Sequence, residues 1–161
     1  MILYFGLGFL FLASALLCAQ FSAYQKKRLL ECEGLWLLLE HIRGRIVLYL
    51  APYPDCVEGF QNTALENTGL IYAIFSHKNL QGAWESVHQN FSLNDKICKE
   101  FYTFCQNFGK GYANDEEKLL TNYIDKFQKI LEDERKEAPR TAKLVRTLVA
   151  AGGCAIAVLL L

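Results

Sequence analysis

Charged side chains are absent from both ends of this chain of 161 residues. All 17 basic and all 17 acidic side chains lie between Lys26 and Arg146, so the first 25 and the last 15 residues carry none. Without charged residues, the N-terminal apolar block has no face suited to water and is not expected to form a solvated helix. A helix that crosses a bilayer needs about 20 apolar residues, and this block is long enough. We therefore predict a transmembrane helix over residues 1–24, whose final aromatic side chain would lie in the headgroup region.

A basic segment is also missing before the N-terminal apolar block, whereas Lys26, Lys27 and Arg28 follow it. A cleaved signal peptide has its basic segment first and a small-residue cleavage site afterwards. Cys18 suggests a lipoprotein site, but leucines precede it where small residues are expected. The pattern therefore favours a retained anchor over a cleaved signal peptide.

The C-terminal apolar block, residues 147–161, is shorter than the first. As a helix it would reach only about 22 Å. Leu144 and Val145 extend it, and Arg146 can place its charge at the membrane interface. Apolar runs of this length are also typical of buried core helices, which remains the alternative. We predict a membrane segment here, without deciding whether it crosses the whole bilayer.

Basic side chains flank both apolar blocks on the side of the central region. They lie at Lys26–Arg28 and at Arg140, Lys143 and Arg146. Because Lys and Arg concentrate on the cytoplasmic side of membrane segments, the central region is predicted to be cytosolic and both termini external. The expected localisation is the cell membrane, with two spans.

The sequence has no net charge, which removes the basic field that nucleic-acid binding requires. Its six cysteines include no C-x-x-C pair, and none has zinc-site spacing to His41, His77 or His88. The cysteine pattern agrees with a reducing compartment. We predict no metal, no bound cofactor and no nucleic-acid partner.

In the central region apolar side chains recur every three or four residues, which predicts α-helices with apolar inner faces. The predicted inner positions of the later helices include Ala83, Trp84 and Val87, then Ile97, Phe101 and Phe104, and then Leu120, Tyr123 and Phe127. The predicted fold class is all-α: a compact cytosolic helical bundle over residues 25–131, flanked by an N-terminal and a C-terminal transmembrane helix. Residues 132–146 are densely charged and form a predicted juxtamembrane stalk, in which Pro139 kinks or ends the helix. The predicted helices are one that ends near Ala51, one over residues 54–67, one over 70–76 with Ile71, Ile74 and Phe75 inward, and helices capped by Asn79, Ser92 and Asn114.

No group of side chains in the sequence is typical of an active site. The histidines are isolated, and no pair of carboxylates lies in an apolar setting. The segment 108–112 contains two glycines but lacks the spacing, and the Ser or Thr, of a phosphate-binding loop. The acidic residues 115–117 are explained by the first turn of the last helix. We predict that the protein is not an enzyme.

Two loops remain as candidate partner-binding sites, because loops on a rigid scaffold often carry binding. Exposed tyrosines make good anchors for a partner. The candidate residues are Lys110, Tyr112, Asp115 and Glu116 at the loop before the last helix, and Tyr53 and Asp55 at the turn after the first helix. The alternative is that both loops are ordinary connections.

The order of several short motifs resembles the stage III sporulation protein AB family of endospore-forming bacteria. The motifs are Lys26-Lys27-Arg28-Leu29, the turn Pro52–Val57, the aromatic positions Phe75 and Trp84 with Ala83, Phe108-Gly109-Lys110 with the acids 115–117, Leu131, and Gly152-Gly153. Together they cover the whole length of the chain. At Gly111-Tyr112 the sequence departs from the fuller L-G pair that is usual in the family.

This resemblance implies a subunit of a secretion-like complex that joins mother cell and forespore, placed in the mother-cell-side membrane around the forespore. It also implies a domain similar to the cytosolic domain of type II secretion and type IV pilus platform proteins. The implied partners are a secretion-type ATPase encoded beside it and other sporulation channel subunits, and a homo-oligomer is left open.

Three functions compete at this point. The leading hypothesis is a non-enzymatic membrane scaffold that docks the ATPase. The others are a membrane-tethered helical adaptor unrelated to sporulation and a small membrane enzyme without a recognisable motif. A neighbouring gene for a sporulation ATPase would separate the first hypothesis from the adaptor.

Overall fold

The computed structural model describes residues 2–49, 55–111 and 113–160, without the side chains of residues 2–7, 9–11, 47–49, 113, 114, 154 and 156–160. Every regular element in this part is helical, which confirms the all-α prediction. The α-helices are α1 (Ile2–Tyr49), α2 (Thr63–Thr68), α3 (Leu70–Ser76), α4 (Leu80–Val87), α5 (Asp95–Asn107) and α6 (Ala113–Leu160). Short 3-10 turns lie at Asp55–Val57 and His88–Asn90.

The chain divides into two compact units. The first consists of Met1–Lys26 and Glu134–Leu161, and the second of Lys27–Asp133. The second unit contains a helical bundle with a contiguous apolar core. In the first unit several large apolar side chains are more than half exposed, namely Leu12, Leu16, Leu17, Leu144 and Leu148.

Helices α1 and α6 are each 48 residues long. The last helix does not end at Pro139, which was one of the two predicted alternatives, because α6 continues through this residue to Leu160. Among the residues that the structure describes, no helix contains a stretch that is both long and apolar enough to cross a membrane. The transmembrane assignments of residues 1–24 and 147–161 stay predictions.

Aromatic side chains join three helices at the centre of the bundle. Phe101 of α5 lies edge-on to Trp84 of α4 at 4.7 Å between ring centroids, and to Phe127 of α6 at 5.9 Å. Phe104, one turn further along α5, meets Tyr123 of α6 at 5.3 Å. Such pairs contribute about 0.5–1.5 kcal/mol each beyond the burial of their area. The predicted inner faces of α4, α5 and α6 are therefore confirmed at these positions.

Three details of the predicted helices differ from the structure. No single helix runs over residues 54–67, because Gly59 has a φ of 77° and Asn62, in extended conformation, caps a new helix through Leu65 N–H. Asn94, not Ser92, caps α5, since its side chain accepts a hydrogen bond from Ile97 N–H. The last helix starts at Ala113, one residue before the predicted cap.

Helix α3 presents a partly different face to the core from the predicted one, since Ile74 is inward as predicted but Phe75 is not. Leu70, Ala73 and Ile74 are buried, whereas Phe75 is 53% exposed and Tyr72 is 79% exposed. Because neighbouring positions of α3 are also apolar, the sequence pattern allowed two inner faces about one residue apart. Packing against α2 and α4 selects the face of Leu70 and Ala73.

A buried carboxylate ties α1 to the segment before α5. Glu31 is 1% exposed, and its Oε2 accepts a hydrogen bond of 2.6 Å from Ser92 N–H. Its Oε1 lies 3.6 Å from Lys27 Nζ. Burial raises the pKa of Glu31, although the Ser92 hydrogen bond and Lys27 both lower it. Ser92, predicted as a helix cap, thus serves as an anchor between elements 61 residues apart.

Helix α1 approaches the start of α2 closely at Gly34. A Cβ atom there would lie 2.9 Å from both Asn62 Oδ1 and Leu65 Cγ. Gly44 lies on the same helix with nothing within 4 Å of such an atom. Gly34 is therefore required by packing, whereas Gly44 only weakens the helix.

We predict opposite effects of alanine at these two glycines. Gly34→Ala should lower the free energy of unfolding by about 1–3 kcal/mol, because the new methyl group overpacks the contact with Leu65. Gly44→Ala should raise it by up to about 1 kcal/mol through helix propensity. Urea unfolding followed by circular dichroism measures both. An equal gain from both substitutions would contradict the close contact at Gly34.

Candidate docking site

The loop between α5 and α6 is built by a helix stop followed by a carboxylate cap. Helix α5 ends with the hydrogen bond from Phe108 N–H to the Phe104 carbonyl. Gly109 follows with a φ of 81°, in the left-handed region that glycine adopts readily. Gly111 N–H then donates to Glu116 Oε1 over 2.8 Å. The loop is thus tied at both ends to the helices that it connects.

The residues predicted to dock a partner at this loop fall into different environments. Lys110 and Asp115 are exposed. Glu116 is buried, and its carboxylate is used by Gly111. Tyr112 lies outside the described residues. The docking role of all four stays a prediction, but a buried capping carboxylate has little to offer a partner.

The turn after α1 is held against that helix by a basic side chain and a histidine. Arg45 Nη2 donates to the Asp55 carbonyl over 3.4 Å and to Glu58 Oε2 over 3.2 Å. His41 Nε2 lies 3.2 Å from the Glu58 carbonyl, and its ring packs at a tilt against the Phe60 ring, with 5.3 Å between centroids. The turn is therefore fixed in place on α1.

Asp55 is exposed at this turn, while the two residues that follow it, Cys56 and Val57, are buried. Burial raises the pKa of the Cys56 thiol to about 11, and the Asp55 carboxylate adds to this increase. Cys56 is thus a neutral core side chain at neutral pH. Tyr53, the predicted anchor of this turn, lies outside the described residues.

Two strongly exposed aromatic side chains among the described residues of the bundle were not predicted to dock a partner. Tyr72 and Phe75 lie one turn apart on α3, on the side away from its buried face. Exposed aromatic residues are frequent anchors in protein interfaces. The sequence did contain an indication of this surface: α3, with 7 residues, has more apolar residues than one buried face can hold.

The described residues contain no group of three or more His, Cys, Asp or Glu side chains that could hold a metal ion. His77 and His88 lie at the ends of α3 and α4, and His88 Nδ1 is 3.0 Å from the Glu85 carbonyl. Trp84 belongs to the core, as predicted. The absence of a cofactor and of enzymatic activity stays a prediction.

The comparison with protein families identifies the chain. A family model described as stage III sporulation protein AB matches residues 4–161. The chain therefore belongs to this family, which confirms the resemblance inferred from its short motifs and makes it a sporulation-related protein. No curated protein and no solved structure matches the chain.

The capping role of Glu116 leads to a prediction about stability. Glu116→Ala should lower the free energy of unfolding by about 1–2 kcal/mol, because Gly111 N–H loses its acceptor. Asp115→Ala removes the same charge from the same helical turn and should cost only about 0.5 kcal/mol. Chemical unfolding of the full chain, followed by circular dichroism, compares the two variants. Equal losses would mean that only the charge near the helix end matters.

Proposed function

We propose that this protein is a non-enzymatic membrane platform subunit of a secretion-like sporulation complex. Its helical bundle lies in the mother-cell cytosol and docks a secretion-type ATPase, and its two apolar ends hold it in the membrane around the forespore. Other channel subunits contact the same platform. Family membership supports the link to sporulation. Exposed leucines, helix lengths and basic clusters support the membrane role, and the exposed residues at the α5–α6 loop support the docking role.

The exposure of leucine side chains in the first unit carries the membrane part of this proposal. Three leucines of α1 and two of α6 are between 57% and 70% exposed. Exposed large apolar side chains in such number indicate contact with a membrane or a partner. Lipid tails would cover such side chains without any further protein.

Helix length agrees with this interpretation. At about 1.5 Å per residue, each of the two 48-residue helices measures about 72 Å. The bundle uses α1 only from Lys27 onward and α6 only as far as Asp133. Outside the bundle, α1 extends over residues 2–26 and α6 over residues 134–160, and each of these lengths is enough for a bilayer of about 30 Å.

The distribution of basic side chains supports the proposed orientation of the protein in the membrane. Lys26–Arg28 lies at the junction of the N-terminal apolar block and the bundle, and Arg140–Arg146 lies at the corresponding place before the C-terminal block. Both clusters would meet the anionic cytoplasmic leaflet. The bundle is then cytosolic and both ends of the chain are external.

The exposed part of the α5–α6 loop is the docking surface that we assign to the ATPase. Lys110 on this loop and Asp115 in the first turn of α6 present opposite charges to solvent, and the loop is tied to both helices. Such a preorganised loop loses little conformational entropy when a partner binds. Glu116 is left out of this surface because it is buried. The exposed Asp55 of the first turn is the second choice.

Thiol labelling tests the topology. A cysteine replacing the exposed Gln61 should not react with a membrane-impermeant maleimide in intact cells, and should react after permeabilisation. The background carries serine at the half-exposed Cys18 and Cys98 and at Cys154, so that the remaining thiols, those of Cys32, Cys56 and Cys105, are buried. Labelling of this position in intact cells would reject a cytosolic bundle.

Pull-down of the co-expressed ATPase tests the docking surface. The double substitution Lys110→Glu with Tyr112→Ala should reduce recovery of the ATPase at least several-fold, because it reverses a charge and removes an aromatic anchor. Lys78→Glu makes the same charge reversal on another exposed segment and should leave recovery unchanged. Circular dichroism of each variant verifies that the helices are intact. Full recovery by the double variant would move the docking site to the Asp55 turn or to a helix face.

A further inference from the structure

A surface cleft of about 430 Å³ lies between α4 and α5, and none of the loop residues predicted for docking lines it. Its lining residues are Trp84, Glu85, His88, Cys98, Lys99 and Tyr102. This volume falls within the range of about 300–1,000 Å³ that is typical of binding sites. The cleft is a candidate site independent of the α5–α6 loop.

The floor of the cleft is apolar and rigid. The Trp84 ring is held by Phe91 at 4.8 Å and by Phe101 at 4.7 Å, so the core fixes its position. Cys98 is half-buried beside it. Burial raises the pKa of the Cys98 thiol, and the carboxylates of Asp95 and Glu31 raise it further, so the thiol is uncharged at neutral pH. An apolar side chain of a ligand would meet no charge here.

The α4 wall of the cleft carries a carboxylate that is held in place. Glu85 Oε1 accepts hydrogen bonds from Gln81 Nε2 at 2.8 Å and from Tyr102 O–H at 3.0 Å. These hydrogen bonds lower the pKa of Glu85, which keeps it ionised. Its Oε2 receives no hydrogen bond from the described residues, so it can accept one from a ligand.

The α5 wall carries the opposite charge. Lys99 is exposed and lines the cleft, and it forms no ion pair within the part of the chain that the structure describes. An acidic wall and a basic wall therefore face a common apolar floor. A simple apolar ligand would leave both charges unpaired, whereas a segment with one charge of each sign would pair both.

We propose that this cleft binds a helical segment of a partner protein. The segment inserts one apolar side chain between α4 and α5, presents a basic side chain to Glu85 and presents an acidic side chain to Lys99. Residues one turn apart on a helix lie about 5–6 Å from each other, so one face of a helix can carry all three. This surface goes beyond the ATPase docking proposed above and does not depend on it.

A synthetic peptide provides the probe. It is a short alanine-based helix in which a Leu lies between an Arg and a Glu, each one helical turn away. We expect this peptide, titrated into the isotope-labelled full chain in lipid nanodiscs, to shift the Trp84 indole signal and the amide signals of Glu85, Cys98 and Lys99 most strongly. Shifts that cluster elsewhere on the bundle would overturn the proposal.

A mutational cycle tests the charge pairing. Glu85→Gln should weaken binding about two- to fivefold, and this loss should vanish for a peptide in which the Arg is replaced by Gln. Lys99→Gln should behave in the same way toward replacement of the peptide Glu. Glu66→Gln removes an exposed carboxylate outside the cleft and serves as the matched control.

Three results would contradict the proposal. Equal weakening by Glu66→Gln would reduce the effect to net charge. Unchanged affinity of a peptide with Ala in place of Leu would mean that the cleft is empty in the complex. Shifts of the same size from leucine amide alone would indicate a small-molecule site. Circular dichroism checks the fold of each variant, and Tyr102→Phe offers a second way to release Glu85.

Discussion

The ring of Phe101 packs edge-on against Trp84 and against Phe127, and through these two contacts α5 holds α4 and α6 together. Complete burial of such a side chain contributes about 1.5–3 kcal/mol, and the edge-on geometry adds to it. The same contacts fix the Trp84 ring that forms the floor of the cleft. The shape of that cleft therefore depends on the core directly beneath it.

Helix α5 also connects the two surfaces for which we propose partners. Its inner face carries Phe101 and Phe104, its outer face contributes Lys99 and Tyr102 to the cleft, and its C-terminal end leads into the loop with Lys110. A partner at the cleft would contact residues of α5 itself, and a partner at the loop would contact the segment that follows α5 directly. This is a suitable arrangement for a scaffold, because partners are positioned by a packed element and not by a flexible linker.

The bundle binds its own irregular segments through buried or oriented polar groups. Glu31 holds the backbone at Ser92, Glu116 holds the backbone at Gly111, and Arg45 holds the turn at Asp55. Each of these side chains forms a hydrogen bond with a backbone group that has no partner within a regular α-helix. Charged residues that looked available for partners are in part structural, which narrows the surface left for docking.

The sequence by itself determined the helical class, the inner faces of α4, α5 and α6, and the family, because helical periodicity and short ordered motifs are local properties. It also showed that both ends of the chain carry no charged side chains. Only the tertiary structure decided which face of α3 is buried, since the exposed Phe75 is as apolar as Leu70 and Ala73, which pack against the core. It likewise decided that Ser92 is an anchor and Glu116 a cap, because both roles depend on hydrogen bonds outside the regular helical pattern. The cleft between α4 and α5 was invisible in the sequence, since its two walls come from helices whose contact is set by the packing of Trp84 on Phe101.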